Sequence, residues 1–559
     1  MGVLCWGLMV QQLSAQTLCS FPQSSATLDI NNIKARISNS GDLFTNGQDA
    51  KYTYTPAGEV GSIYAASLWM GGVDPAGNLK LAAMSYRVAN KTEYAAGPLN
   101  ATTGATDAST CSNWDRLFGT TKTRIDSFLA NLPAFVANPQ SAIDQFPDIM
   151  GWPAIGNPHF SGIYGFTLPD NQGLASFVDT NSDGIYNPLS GDFPAVILQG
   201  KAPFVPDQIL WCVFNDSGTA HLLSGGSPIG VEIQLTSWAF DTLSGVPFSN
   251  TVFTSHKTIY RGFYVLSDFY IGVWTDFDLG CYLDDYIGCT PASNTFFAYN
   301  QDPEDGQPGS TCNGTPTFGT EIPVQTATFL NTSMDKFIAF NSPNFGTPSP
   351  GTSDPALPIE YNNYLTGRWR DGLPLTVGDN GYDPSNSIPT DFIFPDDPAD
   401  PAGWSMCTAN LPFGDRRTVA SHRIGELSPG AISELTMAWT LHPNIQGPCN
   451  LGNALQEVAE IQNAYENSFD GISGVFSPVP LSPVKVIPNP ANDATILDYG
   501  QLKVAAIRCF DMQGGLIFSQ NNPNPGMQRI NTAAWPTGNY AVQLVTNSGI
   551  VPVRITVVR

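Results

Sequence analysis

Glycine and proline interrupt this chain at short intervals, with 53 and 45 of them among 559 residues. Neither residue suits the interior of a helix, so the folds open to such a chain are built from short strands and turns. The apolar runs between the breaks agree. Residues 62–70, 208–214, 230–240, 250–260, 262–274 and 431–441 are rich in β-branched and aromatic side chains. Several are apolar at successive positions, the pattern of strands buried on both faces. Asp74-Pro75-Ala76-Gly77-Asn78 supplies a turn from which residues 79–87 return as a strand. The reading is a mainly β, multi-domain β-sandwich protein.

Two helices are expected. Thr123 caps the first, Ile125, Phe128, Leu129 and Leu132 share one face, and Pro133 stops it. In the second, Leu455, Val458, Ile461 and Tyr465 lie opposite Glu457, Glu460 and Glu466. The expected organisation is a signal peptide (1–15) and an N-terminal β-rich region with a helical insertion and a calcium loop (16–205). A central β-sandwich region follows (206–476), with surface loops over 300–410. A Pro-rich linker (477–483) then leads to a C-terminal β-sandwich domain (484–559).

Charge limits the partners. The net charge is −24 and only 13% of residues are charged, so nucleic acid and anionic lipid are excluded and cations are the natural counterpart. No run of 18 apolar residues predicts a transmembrane segment. Residues 484–559 reverse the sign, with six bases against three acids, which suggests a separate module. At the other end, the apolar stretch from Val3 to Val10 and Leu13-Ser14-Ala15 before Gln16 read as a signal peptide. Its removal leaves nine of the ten cysteines, an odd count that leaves at least one thiol unpaired. Cys509, inside an apolar strand pattern, is the candidate. Disulfides are permitted outside the cytoplasm, with the pairing open.

The sharpest local signal is Asp179-Thr180-Asn181-Ser182-Asp183-Gly184-Ile185, a D-x-N-x-D-G calcium-loop opening. Asp179, Asn181, Asp183 and the Ile185 carbonyl would converge on one ion. Ser190 stands where an EF-hand has its bidentate Glu, so Asp192 is the candidate to close the shell. An Asx-rich turn without an ion is the alternative. A second group, Asp276, Asp278, Asp284 and Asp285, would repel itself unless solvated or neutralised by a cation. Ca2+ is the expected cofactor at both. A solvated acidic loop and a carboxylate pair for glycoside hydrolysis are the competing readings of this second group. The five histidines are scattered, and HExxH, GxSxG and GxxxxGK[ST] do not occur. No catalytic residue is assigned.

The tail carries a resemblance. Val486-Ile487-Pro488-Asn489-Pro490-Ala491-Asn492-Asp493, Phe510-Asp511-Met512-Gln513-Gly514 and Trp535-Pro536-Thr537-Gly538-Asn539-Tyr540-Ala541-Val542, before a last strand to Arg559, resemble the type A C-terminal sorting domain of the Bacteroidetes type IX secretion system. Gly515 departs from that family, which often has a polar or basic residue there. The resemblance implies an Ig-like β-sandwich, Sec export, and passage across the outer membrane to the cell surface or medium. The partners it implies are the type IX machinery and surface lipopolysaccharide. The body resembles large secreted Bacteroidetes proteins through Leu28-Asp29-Ile30-Asn31-Asn32, Leu68-Trp69-Met70-Gly71-Gly72, Trp152-Pro153-Ala154, the Asp179 loop, Phe214-Asn215-Asp216, the Asp276 group and Gly414-Asp415-Arg416-Arg417. No reaction follows from that likeness. The functional expectation is a calcium-stabilised structural or adhesion-type surface protein meeting extracellular polysaccharide or protein. The alternative is a secreted hydrolase or carbohydrate-active or carbohydrate-binding protein.

Overall fold

The computed structural model describes residues 19–559 except 87, 89–90, 170–171, 307–310, 313, 343–349, 384, 386–387, 413, 444, 473–484, 501, 512–514 and 547–548. The stretches expected to be a signal peptide (1–15) and a Pro-rich linker (477–483) lie outside the described residues. The chain divides into two units, Met1–Gly474 and Val475–Arg559.

The first unit is a sandwich of two large antiparallel sheets. One sheet runs Lys336–Asn341, Arg416–Leu427, Leu266–Asp276, Ala65–Val73, Asp42–Leu43, Ile33–Ser38, Tyr52–Tyr54, Val60–Ile63, with Ser25–Leu28 and Leu79–Ala83 attached. The other runs Asp285–Thr290, Thr295–Asn300, Val324–Phe329, Ile432–His442, Thr251–Tyr260, Val231–Ala239, Gln208–Asn215, Ala95–Ala96, with Phe118–Thr121 attached. Strands from before and after residue 205 pair within both sheets. The boundary expected between 16–205 and 206–476 is therefore absent, and both stretches contribute to the same sheets and cores.

The continuous apolar runs have a direct explanation. In Thr251–Tyr260, Val252 and Tyr260 join Trp69, Met70 and Trp274 in the core between the sheets. Phe253 points the other way, into a second core with Trp238, Phe204 and Phe469. The second sheet is thus a middle layer, buried on both faces. Its outer cover comes from the Gly- and Pro-rich stretch 147–205, which contributes Trp152, Phe160 and Tyr186, and from the helix Ala454–Glu466, which contributes Ile461 and Tyr465.

Four local expectations change. The first helix is Lys122–Ala130, capped by Thr121, whose hydroxyl accepts the Arg124 N–H at 3.4 Å. Pro133 starts the next helix, Leu132–Ala137, because a first-turn proline lacks only an N–H that has no helical partner there. Residues 300–410 are not all loop. Val324–Phe329 and Lys336–Asn341 are sheet strands, and Pro358–Leu365 is a helix. Glu457, expected on the exposed face, is buried because its carboxylate meets His442 Nδ1 at 2.6 Å.

The second unit has a three-stranded sheet (Lys485–Ile487, Ala494–Asp498, Met527–Asn531) and a four-stranded sheet (Leu516–Asn521, Val504–Phe510, Gly538–Thr546, Gly549–Val557). Leu497, Ile507, Cys509, Ile530, Leu544 and Ile555 form its core. Tyr540 donates its hydroxyl to the Pro536 carbonyl at 2.6 Å, and Arg559 reaches the Trp535 and Asn492 carbonyls at 3.1 and 3.0 Å.

Candidate metal centre

The strand Leu266–Asp276 lies between Arg416–Leu427 and Ala65–Val73, and its register sets Asp276 directly opposite Arg417. Opposite charges at facing positions pair across a sheet. Here the guanidinium also serves a second acid. Arg417 Nη1 is 2.7 Å from Asp415 Oδ1, while Nε is 3.7 Å from Asp276 Oδ2. Tyr86 joins the two: its hydroxyl donates to Asp276 Oδ2 at 2.6 Å and accepts from Arg417 Nε at 2.6 Å. The Tyr86 ring packs edge-on against Trp274 at 4.9 Å.

Asp278 lies two residues past the strand end. Among the described residues, Asp276, Asp278 and Asp415 form the trio of acidic, histidine or cysteine side chains whose ligand atoms all lie within 4.8 Å of one another. Asp276 is 3% exposed, and its Oδ1 has no hydrogen-bond partner. Asp278 and Asp415 are half-buried. Burial pushes the Asp276 carboxyl up to about 7 against the pull of Arg417, with Asp415 adding to the rise. Burial, then the Asp276 charge, raises Asp278 as well. Burial alone would lower the Arg417 guanidinium, but Asp276, Tyr86, Asp415 and Asp354 outweigh it and raise it. Uncharged surroundings and like charges thus both oppose the ionised trio.

Asp284 and Asp285 are held elsewhere. Asp285 opens a strand of the second sheet, so the connection 277–284 leaves one sheet for the other. Asp284 Oδ2 accepts the Gly306 N–H at 2.6 Å and Asp285 Oδ2 the Leu279 N–H at 2.9 Å. Each keeps a buried, unpartnered Oδ1. Burial raises Asp284 to about 6 and Asp285 well above the usual carboxylate range. Near them Asp305, wholly buried, accepts the amides of Cys281 and Phe318, and burial pushes it up to about 7. The disulfide Cys281–Cys312 closes this corner.

The Asp179 loop is an exposed set of Asx turns. Asp179 accepts the amides of Asp183 and Gly184 at 3.2 and 2.8 Å. Asn181 accepts that of Asp183 at 3.1 Å, and Asp183 that of Ile185 at 2.8 Å. Asp192 is buried at the loop's base, where its two oxygens accept Thr180 and Asn187 N–H, both at 2.9 Å.

Sequence reasoning overlooked Tyr86, Asp305 and the part played by Asp415. The only available signal for Asp415 was Gly414-Asp415-Arg416-Arg417, which reads as local ion pairs. Arg417 does pair with Asp415, but Arg416 is buried and donates to the carbonyls of Asp285 and Gly414 at 3.3 and 3.2 Å. A groove of about 710 Å³ lies apart from all these acids, lined by Asn100, Thr102, Thr103, Thr110 and Gln172. Among its described lining residues the carboxylate is Asp107, which caps the helix Ala108–Trp114 by accepting Thr110 N–H at 2.7 Å.

No helix among the described residues is long and apolar enough to cross a membrane. No curated protein matches the chain in sequence. Among solved structures, a "Biofilm associated protein - BSP domain" is similar at 10% identity over 63% of this chain and 60% of that chain, with a TM-score of 0.13. A likeness that low carries no argument. Residues 485–558, the two sheets of the second unit, match the family described as "Secretion system C-terminal sorting domain". The chain is a type IX secretion cargo, exported to the cell surface or extracellular space by its C-terminal sorting domain.

Proposed function

We propose that the body is a non-enzymatic, calcium-stabilised structural or adhesion-type protein of the cell surface, with extracellular polysaccharide or protein as what it meets. The observation that carries this is the placement of the acids. Asp276, whose carboxyl burial pushes up to about 7, is 3% exposed and its Oδ2 is held by Tyr86. A general acid must reach the glycosidic oxygen, and a side chain so covered at a strand end does not. The threonine-rich groove has an open face, but Asp107, the acid among its described lining residues, is engaged in capping. The likeness of the body to large secreted Bacteroidetes proteins belongs to the same proposal.

Calcium at the Asp179–Ile185 loop is part of this reading. Extracellular calcium modules bind at roughly 0.1–1 mM, and ligand ten-fold above its dissociation constant adds about 1.4 kcal/mol to stability. Chelation should lower the melting temperature and expose residues 170–200 to protease, and Asp183→Ala should remove the calcium effect of that loop. Cells lacking the body should lose surface cohesion or attachment while purified protein releases no reducing ends from a polysaccharide panel. Turnover of any polysaccharide, abolished by Asp276→Asn, would overturn the non-enzymatic reading.

A further inference from the structure

We infer that Asp276, Asp278 and Asp415 bind one hard divalent cation, and that Asp415, rather than Asp284 or Asp285, completes the set. The inference rests on the reading of the body as calcium-stabilised and adds a second, buried site to it. Convergence of three carboxylates within 4.8 Å is the first observation. The second is independent: Oδ1 of Asp276 is buried without a partner. Its sister oxygen is engaged by Tyr86 and faces Arg417, so Oδ1 is the atom free to ligate. An unpartnered buried carboxylate oxygen is costly, and a cation removes that cost without a proton.

The charges close on the same answer. Three ionised carboxylates with Arg417 leave a net −2, which one dication neutralises. Asp354 lies 4.0 Å from Arg417 Nε and shares its charge with Arg370 as well. The donors are all oxygen. An all-oxygen set suits calcium or magnesium better than zinc or copper. Calcium fits better of the two, because it accepts an irregular shell completed by water, and half-buried Asp278 and Asp415 leave access for both. The ion would tie the end of Leu266–Asp276 to the start of Arg416–Leu427. That junction also includes Ser342, whose N–H donates to the Asp415 carbonyl at 3.0 Å.

The test is cation binding to the full-length exported protein. Calcium stoichiometry is measured by titration calorimetry for the wild type, Asp183→Ala, Asp415→Asn and Asp284→Asn. Terbium is the second probe: Tyr86 bonds Asp276 and touches Trp274, so excitation of these rings should sensitise an ion held beside them. We expect Asp415→Asn to lose one bound calcium and the terbium emission. Asp284→Asn should keep both, and Asp183→Ala should keep the emission. Should Asp415→Asn fail to give a native circular dichroism spectrum, Asp278→Asn makes the same prediction. An Asp415→Asn or Asp278→Asn protein with undiminished stoichiometry and emission overturns this site and leaves calcium at the Asp179 loop standing. A wild type that binds no calcium at millimolar concentration overturns both.

Discussion

His256 should make the body acid-sensitive in a way a single substitution removes. It occupies the middle of Thr251–Tyr260, with Leu235 and Leu435 opposite it on the flanking strands. It is 1% exposed, and neither ring nitrogen has a partner. Burial lowers its pKa to about 4, with no charged side chain contributing. A base whose folded pKa is depressed binds its proton more readily when unfolded. Stability is therefore complete above the unfolded value near 6.5 and is lost as pH falls toward the folded value. At about 1.4 kcal/mol per pH unit, the loss is about 2.5 kcal/mol at pH ~4.5 and about 3 kcal/mol below pH ~4. Asp284 and Asp305, raised to about 6 and about 7, act in the opposite sense, since the folded state holds their protons more tightly. The measurement is therefore a difference: urea unfolding of the wild type and His256→Leu, each at pH ~7 and pH ~4.5, following the body transition. Leucine should also relieve two unpartnered ring nitrogens, adding about 1–3 kcal/mol at neutral pH. Equal pH dependence in the two proteins, within about 0.5 kcal/mol of experimental scatter, would refute the argument.

Three further outcomes can be measured. Gly280 has φ +72° and a Cβ there would fall 1.9 Å from Asp305 Oδ2, so Gly280→Ala should cost more than ~2 kcal/mol in thermal or urea unfolding. Gly77→Ala, at φ +85° with open space around it, should cost only about 1 kcal/mol. Replacing Cys407 and Cys449 with serine opens a 42-residue separation and should cost up to about 4 kcal/mol in urea. Cys212, Cys289 and Cys509 are free and buried, and burial pushes Cys509 up to about 12. The native protein should therefore leave these three thiols unreacted with a thiol-labelling reagent and expose them on unfolding.

What the residues declared locally, the structure follows. The Asp74–Asn78 turn closes as its chemistry requires: Asp74 Oδ1 accepts the amides of Ala76 and Asn78, and Gly77 has φ +85°. Runs such as 250–260 are strands because alternate residues enter two different cores. The cysteines show the limit. An unpaired Cys509 followed from its strand pattern, but Cys212 and Cys289 differ from paired cysteines only through partners distant in sequence. The pairing of Ala65–Val73 with Leu266–Asp276 has the same character, and it dissolves the boundary that a shift in composition near residue 205 suggests. Glu457 followed helical periodicity to the polar face and was claimed instead by His442, a contact made by the tertiary fold.

Among the acids, spacing along the chain and burial rank the candidate groups differently. Asp179, Asn181 and Asp183 are close in sequence and form an ordered loop, yet Asn181 and Asp183 are open to water, which hydrates a carboxylate at no cost to folding. Asp276 and Asp278 stand near Asp284 and Asp285 in sequence, but the connection between them passes from one sheet to the other. The residue that joins the first pair is Asp415, placed by the register of Arg416–Leu427 beside Leu266–Asp276. A motif records which acids are neighbours along the chain. Burial decides which of them need a counter-charge, and strand register decides which can share one. On both grounds the trio around buried Asp276 has the greater need of a cation, and its removal should weaken the first sheet more than emptying the exposed loop does.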